Sequence, residues 1–319
     1  MHQRTGATSA AWRRAARSAL VALTVIGGMA AQAAAVHADG EGRAQRAARQ
    51  ADGDGPSGAP WTAPAGMRFL HDVPYGTDPR QRMDVYLPAR PQGAPVIFMV
   101  HGGAWRYGDK AGSTVVRNKV EHWVPRGAVF VSINYRMLPD AGPLVQVQDV
   151  ARALAEAQRL APRWGADPDR FVTMGHSAGA HLVALLAARP ALQRAAGVRP
   201  VLGTVALDSA AMDVPRLMRT PHPKLYDRAF GTDPAHWPEA SPADQLRQSA
   251  PPLLAVCSSR RAIACDQAYR LAAQAQSVGM RADVLPQDLN HLGTNEQLGL
   301  PGAYTDAVDA FLRSVGAAP

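Results

Sequence analysis

The chain has 319 residues, 47% of them hydrophobic, and a formal net charge of +8. Residues 1–38 hold four arginines and no acid, so the remainder carries 30 bases against 26 acids, a net +4 with no basic helix and no basic–aromatic patch. That spread argues against nucleic-acid binding. The lack of internal repeats, a CxxC pair or metal-spaced histidines leaves no cofactor or metal to expect.

The first 38 residues read as a signal peptide. Arg4, Arg13, Arg14 and Arg17 precede an uncharged stretch from Ser18 to Val36, and small-residue cleavage patterns end at Ala33 and Ala38. An uncleaved anchor is the alternative, because the uncharged run is almost long enough to span a bilayer. Residues 39–65, rich in Gly, Ala, Pro, Arg and Asp without apolar periodicity, read as a disordered linker. Residues 66–319 then read as one folded domain, expected to be exported to the periplasm or beyond the cell with no membrane contact after cleavage.

From there strands and helices alternate. Arg68–Val73 and Arg82–Leu87 have the pattern of a half-exposed leading hairpin, while Pro95–Val100 is a continuous apolar run suited to a strand covered on both faces. A helix around Val115–Trp123, a strand Ala128–Ile133 and a helix Val145–Arg163 follow. Phe171–Met174 is a short β-favouring run ahead of the nearly non-polar helix Ala180–Ala188. Further strands fall at Val201–Leu207, Leu253–Val256 and Arg281–Leu285, with helices near Gln267–Ser277 and Ala303–Ser314. This order predicts an α/β fold, a doubly wound and mostly parallel sheet. Residues 212–249, rich in Pro and His, read as a small irregular helical insertion over the strand ends.

Chemistry gathers where strands end. Gly175-His176-Ser177-Ala178-Gly179 sits between a strand and a helix, the setting in which G-x-S-x-G is a nucleophile elbow with Ser177 at its tip. His101-Gly102-Gly103-Ala104-Trp105 follows the buried strand ending at Val100, where backbone N–H groups of Gly103 and Ala104, with that of Ala178, can form an oxyanion hole. His101 is expected to bond loop backbone. The general base should come after the last strand, and among the ten histidines that leaves His291, in Asn290-His291-Leu292-Gly293.

Together HGGAW with Gly108-Asp109-Lys110, Ile133-Asn134-Tyr135-Arg136, GHSAGAHL and NHLGTNEQLG resemble the α/β-hydrolase fold. Within it they resemble the esterase branch of hormone-sensitive-lipase-like, kynurenine formamidase-like and feruloyl esterase-like enzymes, over about residues 67–316. The resemblance implies a triad acid just after the strand Leu253–Val256, but that loop, Cys257 to Cys265, holds no carboxylate, and Arg261 occupies the acid's place. Asp208, at the end of the preceding strand, is the alternative known in the fold, with a Leu-Asp-small pattern resembling pancreatic-type lipases. Asp266, Asp213 and Asp288 remain further candidates, as does a site without an acid. Arg261, always cationic, is expected to face solvent. Cys257 and Cys265, the two cysteines of an exported chain, are expected to pair.

The function so implied is a secreted serine esterase acting on small-molecule carboxylic esters of small or medium size. An arylformamidase-type amide hydrolase and an inactive binding module are the alternatives. Trp105, Leu217, Met218 and Trp237 could line an apolar pocket or pack in the core.

Overall fold

The computed structural model describes Trp61, Ala63 and residues 67–318. The expected signal peptide, and the linker apart from Trp61 and Ala63, lie outside the described residues. Trp61 itself is docked: its ring meets Tyr86 at 5.7 Å between centroids, and its Nε1 donates to Glu121 at 3.0 Å.

Eight strands form one sheet in the order β1-β2-β4-β3-β5-β6-β7-β8. They are β1 (Arg68–Pro74), β2 (Arg82–Leu87), β3 (Ala94–Val100), β4 (Val129–Ile133), β5 (Ala166–His176), β6 (Gly203–Leu207), β7 (Leu253–Ser258) and β8 (Ala282–Gln287). β2 runs antiparallel to β1 and to β4; every later pairing is parallel. The expected hairpin is present but unevenly exposed. β1 is the open edge, whereas β2 lies between β1 and β4 and is buried over five of its six residues.

β3 shows why continuous apolar runs mark the middle of such a sheet. All seven of its residues are buried. Val96, Phe98 and Val100 face one apolar cluster while Ile97 and Met99 face another, as period-two side chains must when both faces are covered. The first cluster includes Val147 and Leu154 of the helix α1 (Pro143–Leu160) and Leu182 of α2 (Ala178–Ala187). The second takes Val116, Val120 and Trp123 from the helix Ser113–Trp123, with Val308, Phe311 and Leu312 from Ala303–Ser314. The sheet is therefore wound on both sides, and the carboxyl ends of β3, β5, β6 and β7 supply the loops considered next.

The irregular insertion is confirmed as two short helices, Val214–Met218 and Lys224–Phe230, followed by single turns at Trp237–Ala240 and Pro242–Gln245. Elsewhere the expected elements differ mainly at their ends. The helix expected from Gln267 begins at Ala262, so the loop after β7 is shorter than its sequence suggested.

Candidate active site

At the end of β5 the chain reverses sharply at Ser177, with φ 54° and ψ −116°, and α2 starts at the next residue. An L residue is strained there by about 1–3 kcal/mol. The local packing explains the small neighbours. A Cβ built on Gly175 would lie 2.3 Å from the Gly179 carbonyl oxygen, and one on Gly179 would lie 2.1 Å from that of Val100. No side chain fits at either position, so α2 can press against β3 and β5. Ser177 N–H donates to Leu207 O at 2.8 Å, tying the turn to β6.

The loop after β3 lies directly over this turn, since a Cβ on Gly102 would come within 3.0 Å of Ser177 Cβ. Gly103, Ala104 and Trp105 follow with φ of 123°, 50° and 59°. This coil is pinned on several sides. Gln146 Nε2 and Leu138 N–H donate to Trp105 O at 2.7 and 2.9 Å, and Trp105 Nε1 donates to His181 Nδ1 at 3.2 Å. His181 Nε2 in turn donates to Ala240 O at 2.7 Å, and burial holds its imidazole down at about 4, hence neutral. Ala178, as the first residue of α2, presents an N–H that no carbonyl of its own helix can reach. His101 is wholly buried; its Nδ1 meets Gly102 O at 2.7 Å and its ring stacks on Tyr135.

His291 lies in the loop after β8. Its Nε2 is 3.0 Å from Ser177 Oγ and its Nδ1 is 2.6 Å from Asp208 Oδ2. The loop is held from below: Thr294 Oγ1 and His176 Nε2 donate to His291 O at 2.7 and 2.9 Å. Lys119 Nζ donates to Asn295 O and Oδ1 at 2.6 and 2.8 Å. Burial pulls the Lys119 amine down to about 7, and it pushes the His176 imidazole well below its usual range.

Asp208 ends β6, fully buried and at φ 52°. Its Oδ1 accepts from Ser258 N–H at 2.7 Å and its Oδ2 accepts from Arg261 Nη1 at 2.6 Å as well as from His291. Burial pushes this carboxyl up, but the His291 hydrogen bond, the charges of Arg261 and His291 and the Ser258 N–H outweigh it and hold the carboxyl at about 2. The other carboxylates are engaged elsewhere. Asp266 pairs with Arg270 and Arg216 at 3.0 and 3.3 Å, Asp213 caps the helix Val214–Met218, and Asp288 pairs with Arg260 at 2.7 Å.

Arg261 corrects the sequence reading. It does not face solvent; it turns inward onto Asp208 and lies against His291 Nδ1. The physical reason is that a buried carboxylate attracts the nearest cation more strongly than an imidazole partner repels it. The signal was available: a cation in the slot where the fold keeps an acid points to a carboxylate displaced to the next strand. Lys119 was likewise legible, standing in the apolar stripe of Val116, Val120 and Trp123, where a lysine needs internal acceptors.

Cys257 and Cys265 form a disulfide with Cα atoms 5.1 Å apart, closing the loop that carries Ser258 and Arg261. Trp105, Leu217, Met218 and Trp237 are all buried in one apolar cluster. Four of the five non-glycine residues with positive φ among the described residues, Ala104, Trp105, Ser177 and Asp208, are in this one site. Strain concentrated in one place points to function rather than to packing. A grouping elsewhere, His71, Asp72 and Asp84, has metal-ligand composition. Lys110 Nζ already sits 2.9 and 2.8 Å from the two carboxylates, so an ammonium supplies the positive charge there.

The sequence profile of the BD-FAE family matches residues 83–274. A probable isoprenylcysteine alpha-carbonyl methylesterase of Arabidopsis thaliana is 35% identical over 113 residues, 35% of this chain and 23% of the plant protein. Esterase LipC of Mycobacterium tuberculosis is 30% identical over 214 residues, 60% of this chain and 52% of its own. The chain thus spans about a quarter to a half of the length of these relatives. Esterase B from Lactobacillus rhamnosis has the same fold, with a TM-score of 0.66 at 23% identity over 89% of this chain and 94% of that one.

Proposed function

The chain belongs to the BD-FAE family, and from that premise we propose that it is a serine hydrolase cleaving small carboxylic esters through Ser177, His291 and Asp208. One observation carries the reading: a single imidazole has a serine hydroxyl at 3.0 Å on one nitrogen and a buried carboxylate at 2.6 Å on the other.

Ser177 Oγ attacks the ester carbonyl carbon while His291 Nε2 takes its proton. The carbonyl oxygen becomes an oxyanion held by the N–H groups of Gly103, Ala104 and Ala178, fixed donors that need no reorganisation as charge develops. Collapse breaks the bond to the alcohol oxygen, which leaves with the proton from His291. Water, deprotonated by the same imidazole, then releases the acid and restores Ser177. Asp208 keeps the His291 proton on Nδ1, so that Nε2 is free to accept. Ionised across the whole physiological range, it can do so at any pH at which the imidazole is neutral.

The Cys257–Cys265 disulfide supports export, since such bonds persist in oxidising compartments. Among the described residues no helix is long and apolar enough to cross a membrane.

A fluorophosphonate probe tests the active-site assignment. Wild type should label at Ser177 and S177A should not; a wild-type protein that stays unlabelled would reduce the fold to a binding module. Turnover of a p-nitrophenyl acyl series against N-formylkynurenine then separates an esterase from an amide hydrolase.

A further inference from the structure

Asp208 is shared. Its Oδ2 accepts from His291 Nδ1 and from Arg261 Nη1, each at 2.6 Å, and its Oδ1 accepts from Ser258 N–H at 2.7 Å. A guanidinium can only donate, so Arg261 adds no acceptor for the imidazole; it adds a fixed positive charge against Nδ1. The charge is also partly shielded from water, with the Arg261 side chain 27% exposed and Asp208 wholly buried. The loop that presents it is closed on itself by Cys257–Cys265.

In a triad the carboxylate favours the imidazolium that forms as the serine is attacked. A cation bonded to the same carboxylate oxygen opposes this, because like charge disfavours the protonated ring. Resting on the Ser177–His291–Asp208 reading, we propose that Arg261 is a positioning residue: it locks the Asp208 carboxylate in place and biases the triad against the imidazolium, extending activity to lower pH.

The other ionisable groups around His291 do not duplicate this. His176, whose ring lies 4.6 Å from that of His291, is fully buried and neutral. Lys119 bonds Asn295, and Tyr304 donates its hydroxyl to Thr294 O. Glu296 lies beside Lys119. Asp288 is occupied by Arg260 at the surface. Arg261 is the cation hydrogen-bonded to the triad carboxylate.

The test is the pH profile of kcat/KM for a neutral ester in wild type, R261K, R261Q and R261M, with folding checked by thermal melting. R261K keeps the charge and R261Q keeps an N–H donor without it. The acid limb should move up by about one pH unit in R261Q and R261M, the size expected of a removed neighbouring charge, and stay near wild type in R261K. An acid limb unmoved in R261Q, or moved as far in R261K, would overturn the proposal; loss of kcat without a shifted limb would show a purely structural role and overturn it as well. Should R261M not fold, R261Q alone decides. D208N in parallel separates the two readings: wild-type kcat there would fail the triad itself, whereas a large loss with unmoved Arg261 variants fails only this inference.

Discussion

On one side of Ser177 the site is held by backbone packing; on the other it is held by charge. The elbow depends on glycines that admit no Cβ, and the loop 101–105 on the Trp105 carbonyl oxygen tied to Gln146 and Leu138. The side carrying Asp208 and His291 depends on a buried carboxylate shared by three donors, and on a disulfide-closed loop that delivers two of them. Packing of the first kind tolerates no substitution but is indifferent to pH and redox conditions. Assembly of the second kind can be moved to a neighbouring strand, provided the charges are rearranged together.

The hydroxyl and the imidazole stand between the two halves, and their removal should have the largest effect. Ser177→Ala and His291→Ala should each lower kcat for a p-nitrophenyl ester by at least about a thousandfold. The double variant should be no worse than either alone, because the two act as one unit. Asp208→Asn probes the charged half by itself. The amide can keep the geometry, but it would favour the wrong imidazole tautomer, so kcat should fall by about three to four orders of magnitude with KM little changed.

The packed half is tested by stability instead. Gly179→Ala would force a methyl to within 2.1 Å of Val100 O, where neither strand nor helix can retreat. Overpacking of this kind costs about 3 kcal/mol, and chemical denaturation should show that loss even with the triad intact.

This division also explains what could be read without coordinates. G-x-S-x-G, HGGAW and the late histidine each occupy a fixed place relative to a strand, because backbone packing leaves no alternative, so Ser177, His291 and the loop at Gly103 are visible as local patterns. The proposed acid is not local. Asp208 and Arg261 are separated by 53 residues and meet only across the ends of β6 and β7, so nothing in either neighbourhood announces the other. The inward turn of Arg261 is hidden for the same reason: against His291 alone it would be repelled, and only the buried Asp208 reverses the balance. The short helices inside the insertion 212–249 were legible as irregular, but a Pro-rich stretch has no periodicity from which to place them.

Opening the disulfide should loosen the charged half without touching the packed one. Replacing Cys257 and Cys265 by Ala should cost about 2–3 kcal/mol of stability in the chain-entropy view of so short a loop. Thiol titration of the unfolded, unreduced wild type should find no free thiol. Two reactive thiols there would remove the oxidising compartment from the argument.

The smallest effect is expected at Asp266, the carboxylate nearest along the chain to the place where the fold usually keeps its acid. It lies on the helix Ala262–Ser277, and its Oδ2 receives Arg270 Nε at 3.0 Å and Arg216 Nε at 3.3 Å. The side chain is 41% exposed, and both partners are more than a third exposed. Those two arginines hold the carboxyl below its usual value, Arg270 foremost, against an opposing push from burial. Exposed pairs of this kind contribute about 0–1 kcal/mol. Asp266→Asn should therefore change kcat by less than about tenfold and leave thermal stability almost unchanged. A loss comparable to that of Asp208→Asn would transfer the acid to Asp266, and with it the claim that the charged half of the site has moved one strand over.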